Sequence, residues 1–327
     1  RAYSYLTNLQ HDNGGWSAGN YVHFESKKNE QMEKPDAATT AFVSLSLFRD
    51  GSTLDTGRFA NHLSKSTTFL TRVTSRRLQA FEKEQKEKKV NTNWWNQQPG
   101  DEDFNFYSQV QGKLGQYVDL VLTAQFYSNV LPTLETSDKR HLKLMNQLNG
   151  CVKVIDKLTD ENGMMTGGTW AGVLQSALTN NMLESATHAG AQVSENLKTR
   201  SREYQMSNFD HRSGKVKTNA GAGIVLYSIS GSVRASAKTA ADINKQMLCA
   251  STNSIVPVNA KVNKNNLIAL GYSGTEAAKL LTEYKIYQAS KKVALKPSTI
   301  KGFGNDGGEE FISFLQTGEG MVIARDA

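Results

Sequence analysis

Residues 1–16 read RAYSYLTNLQHDNGGW, a helix that runs into a glycine pair and delivers one tryptophan. Ala2, Tyr5, Leu6 and Leu9 recur at i, i+3, i+4 and i+7, the spacing of one apolar helix face. Gly14 and Gly15 accept positive φ, so the helix can end there and the chain can turn sharply. Gln10 sits near that end, where its amide can bond to backbone groups that have run out of helical partners. Trp16 follows with a large flat ring to pack after the turn. Gln10, Gly14, Gly15 and Trp16 therefore read as structural residues that staple helices and carry no chemistry.

The same register recurs further on. Residues 150–165, GCVKVIDKLTDENGMM, keep it with Val154 and Ile155 for the apolar pair, Gly163 for the turn and Met165 for the tryptophan. Residues 201–216, SREYQMSNFDHRSGKV, keep it again with Met206, Asp210, Gly214 and Val216. A weaker copy over 65–74 retains Phe69 and Leu70, and its turn gives way to a charged segment. Between the copies lie apolar segments rich in small residues, at 36–48, 117–130, 170–189, 221–233 and 275–293, the last with Ser273 or Thr275 as its cap. Alternating small-residue and motif helices predict hairpins with an inner and an outer member, roughly ten helices in all. Residues 302–314, GFGNDGGEEFISF, read as a further helix start, with Asn305 or Asp306 as cap and Glu309 and Glu310 in the first turn, where they favour the helix dipole. The expectation is one all-α domain over 1–327, with a loop insertion at 76–116 and a loop-rich segment at 251–274.

The spacing R-A-x2-Y-L-x3-Q-x3-G-x-W, from Arg1 to Trp16, resembles the QW motif of the prenyltransferase and squalene oxidase repeat family, which includes squalene-hopene cyclase-like proteins. The resemblance implies an α/α toroid, a ring of inner and outer helices. Asp36 resembles the aspartate that opens the D-[TA]-A segment after such a turn, and it reads as the cap of its helix. The family's class II terpene cyclases protonate their substrate with the central aspartate of a D-x-D-D string. The nearest string here, Asp101-Glu102-Asp103-Phe104, lacks the fourth aspartate and lies in a loop. Asp101 and Asp103 are the candidate acids that this resemblance supplies. Complete squalene-type cyclases resemble two toroids, so that chemistry would require a partner domain. Prenyltransferase β subunits hold zinc through aspartate, cysteine and histidine, but neither Cys151 nor Cys249 has such neighbours. Complement-like thioester domains need a cysteine followed by glutamate and glutamine, which Cys151 lacks. No metal and no cofactor are expected.

Asp119 lies in an apolar helix, where a carboxylate is costly unless paired, and it is a third candidate acid. Trp94, Trp95, Phe104, Phe106 and Tyr107 form the densest aromatic patch: either a ligand platform for an apolar chain or a sugar ring, or a lid packed on its own scaffold. Glu309 and Glu310 are adjacent, so on a helix they point about 100° apart and make a poor carboxylate pair for sugar chemistry. His23, His141, His188 and His211 are scattered, with no serine or cysteine partner in a recognisable motif. Cys151 and Cys249 are either a disulfide in an oxidising compartment or two free thiols.

Charge narrows the partners. The chain of 327 residues carries a net charge of +7, but residues 72–89 mix both signs and read as a solvated helix face. With no nucleic-acid-binding motif, nucleic acid is not an expected partner. No apolar run approaches the ~18 residues of a membrane span. The chain opens inside a motif, which predicts that a leader or signal peptide preceded Arg1. The expected function is a non-catalytic, exported repeat protein, secreted or periplasmic, acting as a binding or assembly scaffold for a protein partner or for itself; a cytoplasmic location is left open. The alternatives are a terpene-cyclase-like or other lipid-modifying enzyme and, third, a carbohydrate-active enzyme on an α/α toroid.

Overall fold

The computed structural model describes residues 2–17, 34–87, 103–300 and 308–326, and its fold is all-α. Thirteen α-helices lie among the described residues. They are α1 (Ala2–Asn8), α2 (Ala37–Arg49), α3 (Ala60–Glu87), α4 (Gln109–Leu114), α5 (Val118–Val130), α6 (Lys139–Leu158), α7 (Gly172–His188), α8 (Glu195–Ser207), α9 (Val225–Thr252), α10 (Lys264–Ala269), α11 (Gly274–Ala294), α12 (Pro297–Ile300) and α13 (Glu309–Ala324). A two-residue antiparallel ladder pairs Phe209 with Val216 and Asp210 with Lys215.

The chain divides into two compact units: Arg1–Glu161 with Met165–Lys198, and Asn162–Met164 with Thr199–Ala327. The division follows helix partners. In the first unit α5 packs between α2 and α7, with α6 against α5 and α3 against α2 and α6. α5 buries side chains on every face, from Val118 through Phe126 to Val130, as a helix apolar all round must. α6 buries one stripe, Leu144, Leu148, Cys151, Val152 and Ile155, and leaves the rest to solvent. The first unit thus has an inner row, α2, α5 and α7, and outer helices α3 and α6. In the second unit α9 is the centre, flanked by α11 and α13.

The opening motif forms the turn its residues predict. Gly14 has φ +92°. A Cβ there would collide with the Lys65 carbonyl of α3, so glycine is required by conformation and by space. A Cβ on Gly15 would meet Pro35 and the Phe69 ring. Gln10 Nε2 donates to the carbonyls of Gly14 (2.9 Å) and His62 (3.0 Å), and its Oε1 lies 2.6 Å from His62 Nδ1. Trp16 is buried; its amide donates to Thr40 Oγ1 at 2.9 Å and its indole N–H to Leu6 O at 2.7 Å. The copy after α6 repeats the device. Gly163 has φ +86°, with no room for a Cβ beside the Arg200 carbonyl. The Met165 amide donates to Ser176 Oγ at 3.0 Å, as Trp16 does to Thr40. Gly214 keeps the positive φ, +71°, but faces open space. The copy at 65–74 has no turn, because α3 continues unbroken to Glu87.

Several expectations shift. The predicted apolar face of α1 is not buried: Tyr5 is 66% and Leu9 49% exposed. Seven residues give too short a helix to dock by a stripe, so α1 is held by its end, through Leu6 to Trp16 and through Tyr3 on the Phe59 ring, 5.2 Å away. Residues 76–87 of the expected insertion belong to α3, and α4 lies within its other end. The loop-rich stretch 251–274 contains α10. Asp36 caps α2, its Oδ1 accepting from Thr39 N at 2.8 Å, and Ser273 caps α11 in a reciprocal box with Glu276. α13 starts after Gly308 without a side-chain cap, while Asn305 and Asp306 lie outside the described residues.

Candidate functional site

The polar residues that the sequence singled out converge on α3. The register of α3 turns Arg72, Arg76 and Arg77 towards the segment 103–119. Arg72 Nη1 pairs with Asp103 Oδ2 at 2.6 Å, and its guanidinium lies over the rings of Phe69 (5.7 Å) and Phe104 (5.6 Å). Phe104 is buried, edge-on to Phe69 at 6.1 Å and to Phe106 at 4.8 Å. The backbone here is clamped to the opening motif. Asn13 Nδ2 donates to Asp103 O (2.8 Å), and Asn105 N donates to Pro35 O (2.8 Å). Asp103 is therefore an arginine partner and Phe104 a packed ring. Phe106 and Tyr107 are partly buried beside them. Asp101, Trp94 and Trp95 lie outside the described residues.

Asp119 sits deeper, in the first turn of α5, and is almost wholly buried. Its Oδ2 accepts from Arg77 Nε at 3.1 Å, while Arg77 Nη2 also donates to Gln116 O at 3.3 Å. Asp119 Oδ1 makes no hydrogen bond of normal geometry. Burial pushes this carboxyl above its ordinary pKa, against the pull of the Arg77 charge and the amides of the first turn. The Cys151 thiol of α6 is raised by burial and then by the Asp119 charge. Tyr127 is raised by burial; its hydroxyl lies 2.9 Å from Gln147 Oε1 and 3.3 Å from Thr74 Oγ1. Gln147 Nε2 in turn donates to Thr71 O and Ser75 Oγ, both at 2.7 Å. An acid, a thiol and a phenol thus share one seam of α3, α5 and α6.

Sequence reasoning missed Arg77, Tyr127 and Gln147. The available signal was the stripe Thr67, Thr71 and Thr74 on α3, at i, i+4 and i+7, which marks a polar inward face. Cys151 and Cys249 are free thiols, the first buried and the second exposed. Glu309 and Glu310 occupy the first turn of α13, both buried. Among the described residues no three His, Cys, Asp or Glu side chains cluster as a metal site, and no helix is long and apolar enough to cross a membrane.

The second unit carries a different feature. α13 buries Glu309, Glu310, Ser313, Gln316, Thr317, Gly320 and Ala324, half-buries Ile312, Phe314, Met321 and Ile323, and leaves three large apolar residues exposed. Phe311 is 58%, Leu315 41% and Val322 66% exposed, at i, i+4 and i+11 on one face. The inward face is small and polar because it lies close on α9. A Cβ on Gly320 would sit 3.0 Å from Val233 Cγ1 and 3.3 Å from Arg234 Cα. No family model, curated protein or solved structure matches this chain.

Proposed function

We propose that this chain is a non-catalytic helical-repeat scaffold, exported from the cell, that binds a protein partner or a second copy of itself. The outward apolar face of α13 carries this reading. An amphipathic helix ordinarily buries its apolar stripe, and a contiguous exposed one marks an interaction surface. The motif that resembles the prenyltransferase and squalene oxidase repeats supports hairpins laid side by side as in an α/α toroid, and its turns are spent on stapling. The test is sedimentation of the purified chain, with cross-linking mass spectrometry on the native protein. Contacts from α13 to a second chain are expected, and Phe311→Asp with Val322→Asp should abolish them. A monomer with no α13 cross-links in either sample overturns the reading.

A second reading, a lipid-modifying enzyme that needs a partner domain, is favoured by Asp119. A buried carboxyl with a raised pKa and an unbonded oxygen suits a general acid. Its ion pair with Arg77 and its enclosure in a helix seam place it second. Extraction and mass spectrometry of lipids bound to the native protein separates the two, because a polyprenyl or triterpene lipid lost in Asp119→Asn favours the enzyme.

A further inference from the structure

The seam between α8 and α9 in the second unit is polar where helix seams are ordinarily apolar. On α8 and just past its end, Ser201, Gln205 and Asn208 recur at i, i+4 and i+7, and all three are buried. On α9, Ser228, Ser232 and Ser236 recur at every fourth position, each fully buried. The two rows meet at Gln205 and Ser232. Ser232 Oγ donates to Gln205 O at 2.7 Å, and one turn away Arg202 Nε donates to Ala235 O at 2.8 Å. The helices therefore run antiparallel in a fixed register.

Donors and acceptors do not balance in this seam. Ser236 donates to Ser232 O at 2.6 Å and Ser232 to Gln205 O, so these two hydroxyls are used. Gln205 uses neither Oε1 nor Nε2, and Ser201 Oγ, Ser228 Oγ and Asn208 Nδ2 make no hydrogen bond. A primary amide offers two donors and an acceptor oxygen. Leaving one such group buried and unpaired removes a sizeable part of a domain's net stability, and several within two helical turns exceed what a marginally stable fold tolerates. Buried polar groups that lack protein partners are ordinarily bridged by a small molecule, most often water with about three hydrogen bonds. The charges beside the seam, Arg202 and Glu283, are paired to one another at 2.8 Å.

We propose that this seam binds small neutral molecules that both donate and accept hydrogen bonds, with Gln205 at its centre, Ser201 one turn to one side and Ser228 one turn to the other. Water and a small polyol share that chemistry. The experiment is magnetic relaxation dispersion of the purified chain, which counts water molecules held inside it, run beside melting in glycerol, for wild type and Gln205→Met. Loss of one or more long-lived waters in Gln205→Met supports the site with water as its occupant. A glycerol-dependent rise in Tm that wild type shows and Gln205→Met lacks supports it with a polyol. An unchanged water count, no glycerol difference, and a Gln205→Met chain that melts above wild type overturn it, because an amide that is merely unpaired is improved by an apolar isostere. If circular dichroism shows Gln205→Met unfolded, Ser228→Ala carries the same measurements with the same outcomes.

Discussion

The Trp16 indole donates to the carbonyl of Leu6 at 2.7 Å, so the ring that follows the turn closes back on the helix before it. The Trp16 amide meanwhile holds Thr40 of α2, and Gln10 holds His62 of α3. One turn therefore fixes three helices, and the glycine at its centre has no substitute.

Gly14 and Gly214 separate two demands on that glycine. Both have positive φ, but only Gly14 abuts a neighbouring backbone. Gly214→Ala is expected to cost about 1 kcal/mol, the strain of a left-handed non-glycine residue. Gly14→Ala adds a collision with the Lys65 carbonyl, whose helix must shift, and is expected to cost about 3 kcal/mol or more. Urea melts of the two variants check the order, and equal losses would show that space around Gly14 does not matter.

Arg77 is the only charge paired with Asp119 at hydrogen-bond distance among the described residues. The Asp119 pKa is raised above 3.8, so the folded chain binds that proton more tightly than the unfolded chain does. The resulting stabilisation is fully present below the ordinary carboxylate pKa and is lost as pH climbs through the folded value. Arg77→Met strips the counter-charge and raises the folded pKa further. It is expected to cost about 3–5 kcal/mol at pH 7 and less near pH 4, where more of Asp119 carries its proton. Denaturant melts at both pH values check this, and a loss independent of pH would assign the effect to packing of the Arg77 stem.

What was legible in the sequence follows the range of the interactions. The turn at Gly14, the cap at Asp36 and the box at Ser273 are set by residues within a few positions, and each formed where its side chains point. The all-round apolar character of 118–130 placed α5 in the interior. The partner of Asp119 was not legible, because the pair with Arg77 depends on how α3 lies across α5, which no local pattern encodes. Nor was the division into two units, since the helix pattern is continuous through α8, which crosses from one unit to the other. Periodicity in α13 separates a polar face from an apolar one, but which face turns inward depends on what α9 offers, and α9 offers serines.

The two thiols should differ in reactivity by orders of magnitude. Cys151 is fully buried and its thiol is held neutral by burial and by the Asp119 charge, whereas Cys249 is exposed. A thiolate is the reacting species, so in the native chain an aromatic disulfide reagent is expected to titrate one cysteine promptly and the second only on unfolding. Peptide mapping should place the fast label on Cys249. Fast labelling of Cys151 at neutral pH would mean that the α3, α5 and α6 seam opens on the time scale of the reaction.

The face of α13 that carries stability is its polar one. Gly320 lies against the α9 backbone, and a valine there must push both Val233 and the Arg234 backbone aside. Gly320→Val is expected to cost about 1–3 kcal/mol, the range for overpacking a close helix contact. Phe311 and Val322 are more than half exposed, so Phe311→Asp and Val322→Asp should each shift stability by no more than about 0.5 kcal/mol. In an ordinary amphipathic helix the order is reversed, because the large apolar residues form the buried stripe. Thermal melts at low protein concentration decide between the two. If Phe311→Asp is the more damaging change in a monomeric sample, α13 turns its apolar face into the unit, and the interaction surface that supports the scaffold reading is lost with it.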